Sequence, residues 1–339
     1  MLENAESIIE SAIASNVFPG AVLAIGRRDS VLCEKAFGLR STSPTEEQNR
    51  LDTIYDMASV TKPFATTSAI MVLLSEGRIT LEDRLSSLLN VESSKERIQL
   101  WHLLTHTSGM PPYSELWREK SGQELLDALT AVRVERPPGE KVVYSCLNFI
   151  LLMRVVEEVS GVPFDDYCLK NVFLPLGLKD TRFRPELTER IAPTSVRENR
   201  VLVGEPDDEL CFYLGGVSGN AGLFSTAADT LAFIIGLWTG RLVSKRVARK
   251  FTEFLVYDQD NPRRLGWQAP GPGTSSGDLF GNSAFGHTGF TGTSLWFDPE
   301  TELSIVFLTN RTHIKRRETI PQMLEIRRRL HNTILAELT

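Results

Sequence analysis

The order of element types along the chain constrains its fold more than any other feature. Runs typical of β-strands at 21–27 and 30–37 surround one short turn, and runs at 294–298 and 303–309 surround another. Between about 59 and 240 the apolar spacing is helical instead. Strands at both ends of a chain with helices between them predict a sheet to which both ends contribute.

We therefore predict an α/β (α+β) fold with two domains. Residues 1–58 and 241–339 would form a discontinuous domain, an antiparallel sheet flanked by helices, and residues 59–240 an inserted all-helical or mainly helical domain. A cleft between the two is where a binding site is expected. A closing helix is predicted over 323–338, and 39–50 is predicted to be an exposed loop. Capping boxes predict helix starts at Thr80–Asp83, Ser121–Glu124 and Thr226–Asp229.

Composition excludes several classes of protein. The chain has 339 residues, of which 42% are hydrophobic, and a chain of this length buries roughly 75% of its unfolded surface without disulfides. Its net charge of −6 argues against a nucleic-acid partner, which usually requires a basic surface. The four cysteines contain no CxxC pair, which favours free thiols.

The N-terminal segment and the longest apolar run indicate where the protein resides. Glutamates at positions 3, 6 and 10 stand where a signal peptide needs a basic start and an apolar core. The apolar run at 231–238 is far shorter than the roughly 20 residues that span a bilayer. We expect a soluble, cytoplasmic protein without a membrane span, unless a leader has been removed.

The segment 56–64 contains the motif S-x-x-K, formed by Ser59 and Lys62. Residues three apart on a helix share a face, so Lys62 can reach the Ser59 hydroxyl. A serine hydroxyl is a weak nucleophile that needs an adjacent proton acceptor, and a helix N-terminus would stabilise a developing oxyanion. The motif alone is weak, because S-x-x-K occurs by chance in most chains of this size. No G-x-S-x-G nucleophile elbow is present.

His102 and His106 offer a different interpretation. Histidines four apart on a helix can share a metal ion, which would make the protein a metallohydrolase. No third ligand is evident in the sequence, and apolar residues surround the pair. A structural role for both histidines is the simpler interpretation.

Several segments together resemble one known family. The segment 52–64 resembles the active-serine segment of the serine β-lactamase-like family, which includes class C β-lactamases, D,D-peptidases, D-aminopeptidases and related esterases. The resemblance runs from about residue 5 to residue 338, and it implies the β-lactamase/transpeptidase-like fold. The other matching segments, which follow the family's order, are LLTHTSGM (103–110), VYSCLN (143–148), GNAGLFST (219–226), GHTG (286–289) and LTNR (308–311).

The resemblance implies a role for each matching residue. Ser59 would be the acylating nucleophile, Lys62 its proton partner and Tyr144 the second member of the acid/base pair. The family's oxyanion hole maps to the backbone amides of Ser59 and Phe290. Gly289 would let a substrate lie against the strand edge.

The sequence departs from the family's pattern at two positions. His287, Thr288 and Gly289 replace a common Lys-Thr-Gly, and because histidine is only partly charged near pH 7, attraction for an anionic substrate should be weaker and pH-dependent. Cys146 stands where β-lactamases usually carry an asparagine that binds the substrate amide; a small pocket wall is its simplest role, and a catalytic cysteine is the alternative. The nearby Asn148 does not inherit the asparagine's role.

These observations predict a serine hydrolase that forms an acyl-enzyme on Ser59, with a small carboxylic ester as the first substrate to test. A D-amino-acid peptide or a β-lactam is the alternative. A non-catalytic protein of the same family that binds a peptide or assembles into oligomers is an alternative of another class. No metal or organic cofactor is implied, and the expected partner is a small-molecule ester, amide or peptide.

Overall fold

A computed structural model describes residues 2–339. The helices are α1 (Glu3–Ala14), α2 (Ser68–Ser75), α3 (Leu85–Leu88), α4 (Leu100–Leu104), α5 (Gly122–Ala131), α6 (Cys146–Ser160), α7 (Phe164–Cys168), α8 (Glu209–Tyr213), α9 (Ala227–Thr239), α10 (Lys245–Glu253) and α11 (Ile320–Leu338). The strands are β1 (Gly20–Arg27), β2 (Ser30–Ser41), β3 (Glu47–Gln48), β4 (Tyr55–Asp56), β5 (Arg182–Phe183), β6 (Val196–Arg197), β7 (Arg200–Val201), β8 (Leu223–Ser225), β9 (Phe285–Thr288), β10 (Ser294–Asp298) and β11 (Leu303–Thr309).

The main sheet joins the two ends of the chain. Its strand order is β3-β2-β1-β11-β10-β9, and every neighbouring pair is antiparallel. Both predicted hairpins, β1–β2 and β10–β11, are present, and β1 pairs with β11 over the register Ala21↔Thr309 to Arg27↔Leu303. The predicted fold, in which strands from both ends of the chain share one antiparallel sheet, is confirmed.

Both faces of the main sheet are covered, which explains the continuous apolar sequence of β1. Leu23 and Ile25 belong to a core on the face that α1 and the predicted closing helix α11 cover. The alternating residues Val22 and Ala24 point to the other face, where α9 packs on β1 and β11. Period-two alternation thus divides one strand between two cores.

The segment 59–240 is mainly helical, but it also contributes the short strands β5 to β8. Strands β4, β8 and β5 form a small sheet, and β6 and β7 form a hairpin. Helix α9 lies in this segment and packs directly on the main sheet. The division of the chain at residues 58/59 and 240/241 stays a prediction.

Two local predictions were wrong. Thr80 and Asp83 close a turn through their side chains, and the next helix, α3, begins only at Leu85. The residues predicted as an exposed loop at 39–50 include the end of β2 and all of β3, and only 42–46, between the two strands, form an exposed loop. The loop prediction failed because polar residues at a sheet edge, where only one neighbour pairs, have the composition of a loop.

The ends of α6 and α9 follow the predicted signals, whereas Ser121 stands before the first residue of α5 without accepting a capping hydrogen bond. Thr226 caps α9 by accepting a hydrogen bond from the Asp229 amide, and Gly161 and Gly240 end α6 and α9 in the left-handed region. None of the helices within residues 2–339 combines the length and apolar character needed to cross a bilayer. The cytoplasmic location stays a prediction.

Candidate active site

Ser59 lies in a short 3-10 turn, Ala58–Val60, directly after β4. The preceding Ala58 has a φ of 45°, and the buried Asp56 carboxylate accepts the Ala58 amide at 2.8 Å. The other oxygen of Asp56 accepts the Asp207 amide at 2.8 Å, and burial raises the pKa of Asp56 to about 7. Asp56 thus ties the turn that carries Ser59 to a distant loop.

Lys62 begins a π-helical turn, Lys62–Thr67, rather than the regular helix start that the sequence predicts. Its fully buried ammonium donates hydrogen bonds to Ser59 Oγ at 2.9 Å and to the Asn220 carbonyl at 2.8 Å. Burial alone lowers the pKa of Lys62, but the ionisable Cys146 thiol and Tyr144 phenol raise it, and the net shift is upward. The predicted contact between the serine and the lysine is present, with Lys62 in its charged form.

Tyr144 lies beside this pair, with its ring centroid 5.0 Å from Lys62 Nζ. His106 holds the segment that carries the tyrosine, because its Nδ1 accepts the Ser145 amide at 3.1 Å. The His106 and Tyr144 rings are 4.5 Å apart. Burial lowers the pKa of His106 well below its usual value, so the neutral ring can accept this bond. Sequence reasoning missed this positioning role.

The two histidines considered as metal ligands both serve the backbone. His102 Nδ1 accepts the Gln99 amide at 3.0 Å at the start of α4, and burial lowers the pKa of His102 to about 4. No group of three or more His, Cys, Asp or Glu side chains within residues 2–339 is placed to hold a metal ion. The structure thus gives His102 and His106 the structural role.

Cys146 and Asn148 lie on different sides of the same segment. Cys146 Sγ is 3.8 Å from Lys62 Nζ, and burial raises the pKa of the thiol, which keeps it neutral. Asn148 accepts a hydrogen bond from Ser108 at 2.6 Å and contacts the His106 ring at 3.4 Å. Cys146 therefore forms part of the wall around Lys62, while Asn148 faces away from it.

His287 does not supply the positive charge of a lysine at the same position. Its Nδ1–H donates to the Thr288 carbonyl at 2.9 Å. Burial, together with the nearby Arg263 and Lys62 cations, holds the pKa of His287 well below its usual value. The expectation of a partly charged histidine near pH 7 was wrong, because a strand position this deeply buried favours the neutral ring.

The end of β9 and the residue that follows it, Gly289, lie directly against the turn of Ser59. A Cβ added at Gly289 would lie 2.6 Å from the Met57 carbonyl, so only glycine permits this approach. Thr293 also donates to the Met57 carbonyl, at 3.0 Å. Neither the Ser59 nor the Phe290 amide donates a hydrogen bond to any group within residues 2–339. Both remain available to a ligand.

Two cavities meet at Ser59, and Tyr144 and Phe290 line both. The larger, which we call the acidic cavity, has a volume of about 650 Å³ and carries four carboxylates. The smaller, which we call the arginine cavity, has a volume of about 310 Å³. Charged residues of the acidic cavity are Glu115, Arg118, Asp207, Asp208, Glu209, Arg316 and Arg317, and those of the arginine cavity are Arg263, Arg311 and Arg327.

The arginine cavity contains cations that sequence reasoning missed. The Arg263 guanidinium lies 5.0 Å from the centroid of the Tyr144 ring, and burial lowers its pKa only to about 10. Burial lowers the pKa of Arg311 to about 10 and that of Arg327 to about 9. All three remain charged at neutral pH. Arg311 ends the matching segment LTNR, but the resemblance gave it no role, and Arg263 and Arg327 lie outside every motif named from the sequence.

Comparison with known proteins agrees with this geometry. A family model described as Beta-lactamase matches residues 5–327. The N-acetylmuramyl-L-alanine amidase of Bacillus subtilis (strain 168) is 31% identical, over 92% of this chain and 81% of its own length. A putative D-alanyl-D-alanine carboxypeptidase of Escherichia coli (strain K12) is 30% identical, over 87% of this chain and 79% of its own length.

A solved structure shares the fold over nearly the whole chain. It is EstCE1, a hydrolase with promiscuous acyltransferase activity, with a TM-score of 0.78, 20% sequence identity and coverage of 98% of each chain. The family resemblance read from the ordered sequence motifs is thereby confirmed. The chain belongs to the beta-lactamase family of serine hydrolases.

Proposed function

We propose that this protein hydrolyses its substrate through an acyl-enzyme on Ser59. The observation that carries the proposal is the 2.9 Å hydrogen bond between Lys62 Nζ and Ser59 Oγ, beside the Tyr144 ring and at the junction of two cavities. A nucleophile, a proton-transfer pair and a space for substrate on both sides of the nucleophile are the parts that acyl transfer requires.

The reaction divides into two steps. Ser59 Oγ attacks the substrate carbonyl, and its proton passes to Tyr144, which acts as the phenolate, either directly or through Lys62, which gives a proton to the phenolate as it takes one from the hydroxyl. The amides of Ser59 and Phe290 donate to the oxyanion as it forms. Collapse of the tetrahedral intermediate breaks the bond to the leaving group, which takes the proton. Water then attacks the acyl-serine ester, which releases a carboxylic acid and restores Ser59.

The arginine cavity favours a substrate that carries a carboxylate near the scissile bond. Arg263, Arg311 and Arg327 replace the charge that His287 does not provide. Guanidinium groups are well suited to bind carboxylates. A peptide with a free carboxylate on its D-amino-acid leaving group fits this arrangement, and the names of the amidase and carboxypeptidase relatives support a peptide or amide.

A small carboxylic ester is the second candidate. The neutral Cys146 thiol offers only a weak hydrogen bond where β-lactamases usually bind the substrate amide. An ester lacks that amide N–H, so it would lose less from this replacement. The resemblance to EstCE1 concerns the fold alone.

Replacement of the proposed nucleophile tests the reaction. We expect Ser59→Ala to lower kcat/KM for p-nitrophenyl acetate by about 10³-fold or more, because no other group can form the acyl-enzyme. Intact-mass measurement after fluorophosphonate treatment should show one adduct on the wild type and none on the variant. The exposed Ser86→Ala is the matched control. Undiminished hydrolysis by folded Ser59→Ala would refute the mechanism, and no adduct on the wild type would favour the non-catalytic alternative.

A further inference from the structure

Asp208, in the acidic cavity, has a half-buried carboxylate that hydrogen bonds fix in place. Its Oδ1 accepts the Cys211 amide at 2.9 Å and the Asn220 side-chain amide at 3.1 Å. Asn220 is itself held by Ser218, whose hydroxyl donates to Asn220 Oδ1 at 2.6 Å. One oxygen of the carboxylate is therefore committed to the protein, and the orientation of the other follows from it.

Asp208 differs from the other carboxylates of the cavity because it has no ionic partner. No Lys, Arg or His nitrogen within the described chain, residues 2–339, lies within 4.0 Å of its carboxylate. Burial raises the pKa of Asp208, although the hydrogen bonds from Cys211 and Asn220 and the more distant Lys62 cation act against that rise. The other carboxylates are paired, as Glu115 with Arg118, Glu209 with Arg316, and Asp207 with Arg316.

A short chain of hydrogen bonds connects Asp208 to the nucleophile. The side-chain amide of Asn220 donates to Asp208. The main-chain carbonyl of Asn220 accepts a hydrogen bond from the Lys62 ammonium at 2.8 Å. Lys62 in turn donates to Ser59 Oγ at 2.9 Å. One substrate molecule could therefore place its carbonyl at Ser59 and another of its groups at Asp208, which line the same cavity.

The cavity also contains an unpaired cation, Arg317, which could attract an anion instead. Its side chain is exposed, so solvent and salt screen its charge, whereas Asp208 is half-buried and screened less. Tyr113 and Trp117 add aromatic surface, which favours alkyl chains and cations over anions. The charge that a ligand of this cavity would meet at depth is negative.

We propose that Asp208 binds a positively charged amino group on the acyl part of the substrate. The inference rests on the proposed function: if the arginine cavity takes the carboxylate of the leaving group, the acidic cavity on the other side of Ser59 takes the acyl part. An ammonium there would give the carboxylate the partner that the protein does not supply. Asp208 would then select among acyl groups without taking part in the chemical step.

Matched esters test this selectivity. The p-nitrophenyl esters of β-alanine and ε-aminocaproic acid differ from those of butanoic and heptanoic acid chiefly by an ammonium in place of a methyl group. After correction for the uncatalysed rate, we expect the wild type to prefer each ammonium ester in kcat/KM by roughly tenfold or more. Asp208→Asn should lower that preference by a similar factor, and Asp208→Glu should retain part of it. The exposed Asp127→Asn is the control and should leave the preference unchanged.

The preference separates selection from a structural role. If Asp208 served only to hold Asn220 and Lys62, its loss would slow hydrolysis of both ester series equally, and the proposal would fail. A wild-type ratio of kcat/KM for the ammonium ester to kcat/KM for the matched alkyl ester at or below one would also overturn the proposal, even if Asp208→Asn did not fold. Hydrolysis that survives Ser59→Ala would instead refute the acyl-enzyme mechanism, so the two failures remain distinct.

Discussion

The two cavities that meet at Ser59 obtain their charges in different ways. In the acidic cavity, Arg316 pairs with both Asp207 and Glu209, at 3.3 and 2.8 Å, so most of the charge there is internally compensated. In the arginine cavity, Arg263 and Arg327 have no ion pair with any side chain of residues 2–339. One cavity is nearly neutral with a single open carboxylate, and the other is strongly cationic.

This difference shows that positive charge in a cavity need not come from the motif that supplies it in many relatives. The strand position that carries lysine in many relatives is occupied here by the neutral, buried His287. The positive charge comes from Arg263, stacked on the Tyr144 ring. The absence of a lysine from one motif therefore does not mean that the cavity beside it lacks positive charge.

The largest effect in this comparison is expected from Arg263→Gln, which removes a cation from the arginine cavity. We expect kcat/KM for a peptide ending in D-Ala-D-Ala, or for an ester whose leaving group carries a carboxylate, to fall roughly ten- to a hundredfold. A neutral p-nitrophenyl ester should change much less, because it has no charge to bind. Steady-state kinetics with both substrates measure the difference, and the exposed Arg249→Gln is the control. Equal losses on both substrates would contradict a carboxylate site.

A smaller effect is expected from Phe290→Leu, which alters the wall shared by the two cavities. The Phe290 ring lies 4.5 Å from the Arg311 guanidinium and 5.4 Å from that of Arg316, so it contacts a cation from each cavity. Loss of these cation–π contacts, each worth about 0.5–1 kcal/mol, should lower kcat/KM for charged and neutral substrates alike by a few-fold. The half-buried Phe254→Leu is the control. Unchanged kinetics would show that these two contacts contribute nothing to catalysis.

The smallest effect on activity is expected from His287→Gln. Because the folded-state pKa of His287 lies well below its usual value, the ring is neutral between pH 6 and 8, and the substitution should not shift the pH profile of kcat/KM in that range. A change in the profile there would mean that His287 carries charge in the working enzyme.

The same pKa shift predicts an effect of His287 on stability. A histidine whose folded-state pKa is depressed stabilises the fold above about pH 6.5, and that contribution is lost as the pH falls. Between pH 6.5 and 5 the wild-type free energy of unfolding should therefore decrease, and His287→Gln should remove up to about 1.4 kcal/mol of that decrease per pH unit. Urea unfolding at several pH values measures it. An identical decrease in the variant would argue against a buried neutral ring.

Local patterns predicted much of the fold and the centre of the site. Both hairpins, the closing helix and the contact of Lys62 with Ser59 follow from periodicity and from residues three apart in sequence. Local patterns failed where the charge or role of a side chain depends on residues that are distant in sequence but close in the fold. The charge of His287 depends on its burial beside Arg263 and Lys62, and the role of His106 depends on a backbone amide 39 residues away.

The sequence by itself determined the strand pairing at the two ends of the chain and the family, and it pointed to the candidate nucleophile with its lysine, because these depend on short-range patterns and on the order of a few motifs. Only the tertiary structure decided the charge of the two cavities. Arg263, Arg311 and Arg327 reach one cavity from separate segments, and in the other Asp208 has no ion-pair partner among residues 2–339. The charge of a site depends on which side chains folding brings together and on how burial shifts their pKa values, and a single segment of sequence determines neither.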